Sequence, residues 1–324
     1  MTPRIGFLGT GWIGRHRMAA MLATGAVNAV AICDPSPDCV AEARALAPDA
    51  RVVESLAEML ALDIDGVVIA TPSALHAAQS IEAFAAGKAV FCQKPLGRTA
   101  AETRGVVDAA RAADRLLGVD LSYRHTEAMR QIADLVRSGA LGRVFAIDLT
   151  FHNAYGPDKP WFYDAAQSGG GCVVDLGVHL VDLALWTLGF PPVADVDARL
   201  TRGGLPLAAG AVEDYAVARF AAGDAQVRLA CSWRLNAGRD AVIEAAFYGT
   251  EGGAALRNVG GSFYDFTAER FDGTAATRLA DPPDDWGGRA AAAWAGQLAR
   301  APGFDPLAEQ FVRCAEVLDR IYGR

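Results

Sequence analysis

Apolar and polar positions in the first 120 residues repeat in one order: a short apolar run, a turn, then a longer stretch with helical spacing. Arg4–Leu8 is a short apolar run that stops at glycine, and a helix is predicted over about Trp12–Ala23. Val27–Cys33 reads as a second buried strand ending at Asp34. Ser36-Pro37 marks a helix start, because proline at the first helical position gives up no hydrogen bond. Ser55-Leu-Ala-Glu58 and Thr99-Ala-Ala-Glu102 fit the capping box. Gly66–Ala70, Ala89–Cys92 and Leu116–Val119 are further apolar strands. Alternation of this kind predicts parallel strands with helices on both faces and right-handed crossovers. Residues 1–121 are therefore expected to form an α/β domain, a doubly wound nucleotide-binding (Rossmann) sheet.

From residue 122 to the end the rhythm changes. A helix over about Glu127–Arg137 stops at Ser138-Gly139, and Val144–Phe151 is strand-like. Gly169-Gly170-Gly171 precedes an apolar helix that runs to about Leu188. Strand-like segments then recur at Ala194–Thr201, Asp214–Phe220, Gln226–Trp233, Ala241–Tyr248 and Phe263–Arg270. Short turns between them predict an α+β domain with a large, mostly antiparallel sheet. Residues 271–303 show no clear pattern. Pro306–Tyr322 reads as an amphipathic helix that can pack back on the first domain.

Composition agrees with this division. At about 150 residues per domain, 324 residues allow two domains. With 52% hydrophobic and 21% charged residues, the chain is neither disordered nor fibrous. A net charge of −8 counts against nucleic-acid and anionic-membrane partners. No unbroken run of 18 or more apolar residues is present, so no membrane span is expected. The N-terminal MTPRIGFLGTGWIG is expected to be neither a secretory signal nor a transit peptide. Six cysteines without a CxxC pair suggest reduced thiols and a cytoplasmic location rather than a zinc site.

The sharpest local signal is Gly9-Thr10-Gly11-Trp12-Ile13-Gly14, a GxGxxG between a strand and a helix. Its glycines permit a tight turn, close approach of a pyrophosphate, and close helix–strand packing. The helix N-terminus offers free N–H groups to phosphate. Asp34, 20 residues after Gly14, stands where a carboxylate would accept from the adenosine ribose hydroxyls. A carboxylate repels a 2′-phosphate and no arginine stands beside it, so NAD is favoured over NADP. The alternative for Asp34 is a turn-capping aspartate.

Beyond the fingerprint, the chain resembles the Gfo/Idh/MocA family of glucose–fructose oxidoreductase and inositol dehydrogenase. Thr71-Pro72-Ser73-Ala74-Leu75-His76 is similar to the family's TP-x-x-x-H element at the cofactor, and Gln93-Lys94-Pro95 to its EKP motif. Gly169-Gly170-Gly171 through Asp175, Gly177, His179 and Asp182 resembles its GGG…DxGxHxxD motif. The family usually has glutamate where this chain has Gln93; glutamine keeps the size and loses the charge.

The resemblance implies a cofactor site made from Gly9, Gly11, Trp12, Ile13, Gly14, Asp34, Thr71, Pro72, Ser73, His76, Gln93 and Lys94. It implies catalysis by Lys94, Asp175 and His179, and often a cis peptide before Pro95. Asp175 and His179 are four residues apart, so on a helix the carboxylate would orient the imidazole; taken alone, such a pair is more often structural. Arg124 is similar in placement to an arginine near the family's substrate cleft. His152 and Trp161 lie in a stretch rich in aromatic and polar groups, which reads either as a wall for a sugar or as a core or dimer contact. A metal on Asp175, His179 and Asp182 is discounted, because hydride transfer to NAD needs none. The implied function is interconversion of a secondary alcohol and a ketone on a sugar, cyclitol or related polyol, by a homodimer or homotetramer. Two alternatives stay open: a lyase or epimerase-like enzyme that recycles bound NAD, and a non-catalytic NAD-binding sensor.

Overall fold

Short apolar runs with no polar face have to be covered on both sides, and the first-half strands are. Strands β1 (Arg4–Leu8), β2 (Asn28–Cys33), β3 (Arg51–Val52), β4 (Gly66–Ile69), β5 (Ala89–Cys92) and β6 (Leu117–Val119) form one sheet in the computed structural model, which describes residues 1–324. Their order is β3-β2-β1-β4-β5-β6 with all pairings parallel. That is the doubly wound order of a dinucleotide-binding sheet, with the turn after β1 at the point where strand order reverses. Successive residues point to opposite faces. Leu8, Val67, Ile69, Val90 and Cys92 enter one core with Phe84, Val106 and Val107, while Phe7, Val68 and Phe91 enter the other with Met18 and Met21. The helix starts use the expected caps: Ser55 Oγ accepts from Glu58 N at 3.1 Å and Thr99 Oγ1 from Glu102 N at 3.2 Å.

The chain divides into two compact units, Met1–Ser122 with Gly287–Val312 and Tyr123–Trp286 with Arg313–Arg324. The residue pattern places the second domain from residue 122 to the end, with the C-terminal helix able to pack back on the first, and gives residues 271–303 no element. The return of Gly287–Val312 to the first unit corrects that. Helix Arg289–Arg300 covers the second face of the parallel sheet through Trp294, which is 4% exposed and lies 5.8 Å, ring to ring, from Phe91. A Cβ on Gly118 would stand 2.5 Å from the Trp294 ring, so β6 is tailored to the indole. Alanine-rich helices carry little positional information, which is why this segment had no legible partner in the sequence.

The second unit is built on nine strands: β7 (Val144–Asn153), β8 (Val193–Arg202), β9 (Leu205–Pro206), β10 (Tyr215–Ala222), β11 (Ala225–Ser232), β12 (Ala241–Gly249), β13 (Gly253–Asn258), β14 (Phe266–Asp272) and β15 (Ala275–Ala280). They run β15-β14-β13-β12-β7-β11-β10-β8-β9, antiparallel except for the β7–β11 pair. Periodicity missed β9, β13 and β15. The segment of β13 is buried almost throughout, and β15 is largely exposed, so neither alternates. Alternation is plain in β11, where Ala225, Val227, Leu229 and Cys231 are buried while Arg228 reaches Asp148 on the other face. The segment Ala165–Thr187 has the length and mean hydropathy, 1.3, of a membrane span, but 94% of its most apolar window is buried within the fold, as in a core helix. Glycines and polar residues interrupt it, so it contains no unbroken run of 18 apolar residues.

Trp294→Ala should destabilise the first unit by about 3–5 kcal/mol, the cost of emptying a buried aromatic site. Denaturant unfolding checks this; a change below about 1 kcal/mol would place the 287–312 segment outside the core of that unit.

Candidate active site

In the first unit the glycine-rich turn has the form a pyrophosphate requires. Gly9 has φ +83°, and a Cβ there would meet Ala70 O at 2.6 Å. A Cβ on Gly14 would come within 2.2 Å of Gly9 O, so the helix Trp12–Ala23 starts as close to β1 as backbone allows. At Gly11 a Cβ would find nothing within 4 Å, which leaves the backbone open to a ligand. These residues fit a dinucleotide. Trp12 is 59% exposed at the first turn, and Ile13 is half-buried beside it.

Asp34 serves the turn as well as standing at the expected position. Its Oδ2 accepts from Thr10 N at 2.6 Å and its Oδ1 from Ser36 N at 2.9 Å. The turn-capping alternative is thus present. Each carboxylate oxygen keeps a second lone pair, so ribose recognition remains chemically open to it.

The turns after β4 and β5 are joined by His76. Its Nε2 lies 2.7 Å from Thr71 O and its Nδ1 2.7 Å from Pro95 O, with the ring 1% exposed. Burial, opposed by those two carbonyls, holds its pKa below the ordinary histidine value. A ring nitrogen faces each carbonyl, so His76 bridges the turn at Thr71 to that at Pro95. Pro72 caps the helix Ser73–Ala85, Ser73 is buried at its first position, and the Thr71 hydroxyl donates to Gln79 Oε1 at 2.6 Å. Gln93 N donates to Ile69 O at 2.9 Å, its Nε2 to Asp120 Oδ2 at 2.6 Å, and the Lys94–Pro95 peptide is cis.

In the second unit, the glycine triplet opens a helical run through Glu213, a residue the sequence reading missed. Glu213 is 1% exposed and accepts from Gly171 N and Val173 N at 3.0 Å and from the Tyr322 hydroxyl at 2.7 Å. Burial pushes its carboxyl up, and these donors resist the shift. The glycines make room for it: a Cβ on Gly171 would lie 1.9 Å from Glu213 O, and one on Gly170 would lie 2.1 Å from the Tyr322 hydroxyl. No local pattern marks a partner 42 residues downstream.

Val173–Gly177 is a π-helical turn, followed by the α-helix Val178–Thr187. The α-helical spacing assumed for Asp175 and His179 therefore gives way to i→i+5 bonding, a feature common at functional sites. Asp175 Oδ2 accepts from Trp233 Nε1 at 3.0 Å, and Trp233 is 3% exposed. His179 is buried with its ring 4.8 Å from that of Tyr123 and 6.5 Å from that of Phe151. Trp161 stacks on Phe162 at 3.8 Å, while Phe162 and Tyr163 set their edges against Trp233. The aromatic loop is thus joined to Asp175 through one indole. His152, at the end of β7, has Nδ1 2.8 Å from Ser232 Oγ and stacks parallel to Tyr215; burial holds its pKa below the ordinary value.

Arg124 Nε donates to Asp182 Oδ2 at 2.7 Å and its Nη2 to Oδ1, a buried pair with Asp182 1% exposed. The guanidinium also lies over the rings of Trp186 and Phe190. A charge pair this buried is costly to break, so Arg124 and Asp182 hold each other in place. Cys172 is buried, its thiol raised by burial, with Sγ 3.8 Å from Cys231 Sγ, and is no nucleophile.

Residues 3–121 match the family model described as an oxidoreductase family, NAD-binding Rossmann fold, and residues 129–255 match the GFO/IDH/MocA C-terminal domain. The chain is 31% identical over 262 residues to inositol 2-dehydrogenase of Rhizobium meliloti strain 1021, covering 80% of this chain and 76% of that one. It is 27% identical over 271 residues to D-glucoside 3-dehydrogenase of Escherichia coli K12, covering 78% and 76%. A solved levoglucosan dehydrogenase, in complex with NADH and levoglucosan, has the same fold, with a TM-score of 0.84 over 100% of this chain and 97% of that one at 22% identity. With both of its units matched and a relative above 30% identity aligned over three-quarters of its length, the chain belongs to the Gfo/Idh/MocA family of NAD-binding oxidoreductases.

Proposed function

We propose that the protein is an NAD-dependent dehydrogenase that interconverts a secondary alcohol and a ketone on a sugar, cyclitol or related polyol. The observation that carries this reading is the π-helical turn in which Asp175 is fixed by Trp233 and leads directly into buried His179. The names of the relatives, acting on inositol and on a glucoside, support the substrate class. NAD held at the glycine-rich turn would supply the hydride acceptor. His179 takes the hydroxyl proton, because an imidazole titrates nearest neutrality. Asp175 acts as its electrostatic partner, and the Trp233 hydrogen bond fixes where that carboxylate points. Lys94 donates to the reacting oxygen and stabilises negative charge developing there. A panel of polyols and sugars with NAD, followed at the nicotinamide absorbance, tests the proposal. Net NADH formation is expected. Substrate conversion without NADH accumulation would indicate recycled NAD, and binding with no conversion of any member would indicate a sensor.

His179→Ala should lower kcat by roughly 10²–10⁴, the usual worth of a general base, with NAD affinity little changed. Lys94→Ala should lower kcat and, less strongly, NAD affinity. Steady-state rates across pH with NAD titration of each variant check both; a near-normal kcat and unaltered pH profile for His179→Ala would move the base elsewhere.

Unmodified protein should bind NAD much more tightly than NADP, through Asp34. Asp34→Ala should narrow the preference by about 1–3 kcal/mol, the value of hydrogen bonds to a charged acceptor. Calorimetric titration with both cofactors reads this directly, and equal affinities in the unmodified protein would be incompatible with it.

Phe162 and Tyr163 are set against Trp233 and Trp161 stacks on Phe162, so the other face of Trp161 is the one offered to substrate. Trp161→Ala should raise KM with kcat nearly unchanged, since stacking on a sugar face operates in ground and transition states alike. A lower melting temperature with unchanged KM would make Trp161 a packing residue.

A further inference from the structure

Gln93 is the one place where this chain departs from the motif that carries Lys94, and the surroundings give the departure a physical cause. Asp120, directly after β6, is 1% exposed. Its backbone N donates to Cys92 O at 3.0 Å, which joins the ends of β5 and β6. Its Oδ2 accepts two hydrogen bonds of 2.6 Å, one from Gln93 Nε2 and one from Arg17 Nε. Arg17 lies on the helix that the glycine-rich turn opens, with its side chain 6% exposed. Its Nη2 is 3.4 Å from Ser122 Oγ and its Nη1 2.9 Å from His16 Nδ1. The buried cluster thus balances one guanidinium against one carboxylate, with a neutral amide as second donor.

A glutamate at 93 would set a carboxylate oxygen against Asp120 where an N–H now donates. Two carboxylates this close cannot both stay ionised, and the cluster holds one arginine to offset them. The acceptor-only Asp120 also fixes the amide orientation: Nε2 faces Asp120 and Oε1 faces away. Gln93 precedes Lys94, and Pro95 on the other side is held through its carbonyl by His76. The backbone that carries Lys94 is therefore held on both flanks by buried side chains.

We propose that Asp120 is a positioning residue for Lys94, acting through Gln93, and that it supplies the single negative charge of this cluster. Glutamine at 93 and aspartate at 120 form one unit with Arg17, which ties the Lys94 turn to the helix of the glycine-rich turn. The inference rests on the role proposed above for Lys94, and its test includes a readout that needs no substrate.

The test is a double-mutant cycle of Q93E, D120N and Q93E/D120N in the full chain, read by NAD affinity, by kcat and KM on whichever panel substrate turns over, and by thermal melting. Each single variant should weaken NAD binding and lower kcat by about 10- to 100-fold, and the double variant, which restores one carboxylate and one amide, should recover at least about tenfold over the worse single variant. If Q93E does not fold, Gln93→Met removes the donor without adding charge. It should weaken NAD binding and lower kcat several-fold with the melting temperature kept, and D120N in that background should add little. Effects that simply multiply, or Q93E binding NAD as the unmodified protein does, would overturn the proposal. If no substrate on the panel turns over, the dehydrogenase reading fails separately, and the NAD-affinity cycle still decides this one.

Discussion

The buried carboxylate of Glu213 is the interaction on which the start of the second unit's apolar helical run depends. A helix beginning inside a protein leaves N–H groups that must find acceptors, and here one side chain from a distant strand connection takes Gly171 N and Val173 N together. Only glycine lets the chain come that near, since a Cβ at 171 would overlap the Glu213 carbonyl. The glycine triplet is therefore read as a packing requirement. Its consequence is chemical, because the same capped start leads into the π-helical turn that carries Asp175 and on to His179.

The first unit uses the same device. Turns after parallel strands are where ligands meet a doubly wound sheet, and each such turn here is held by a buried or half-buried polar side chain. Asp34 holds Thr10, His76 joins Thr71 to Pro95, and Asp120 joins Gln93 to Arg17. A polar group buried without partners would cost stability, whereas one that satisfies backbone or another side chain fixes geometry. Rigid turns of this kind are pre-organised for binding, because little ordering remains to be done when a ligand arrives.

Several residues that the motifs single out also brace the scaffold. His76 sets a ring nitrogen against each of two backbone carbonyls, and Arg124 pairs with buried Asp182. The reverse holds for Trp233, which carries no motif signal and yet holds the Asp175 carboxylate. Residue type and spacing identify where polar chemistry is concentrated; the hydrogen-bond partners decide which members of the group face outward.

Local information in the chain was sufficient for much of this protein. Short apolar runs, helix caps and the GxGxxG spacing are properties of ten or twenty neighbouring residues, so the parallel sheet, its helices and the glycine-rich turn were legible directly. The Asp175, His179 and Lys94 candidates came through the resemblance of contiguous motifs to the family's. Only the tertiary structure decided that Trp294 covers a sheet more than 170 residues earlier in the chain, that Glu213 caps the glycine triplet, and that Asp120 faces Gln93. The reason is that burial and hydrogen-bond satisfaction are met by whichever groups the folded chain brings together, and a single sequence leaves no periodic trace of a partner that distant.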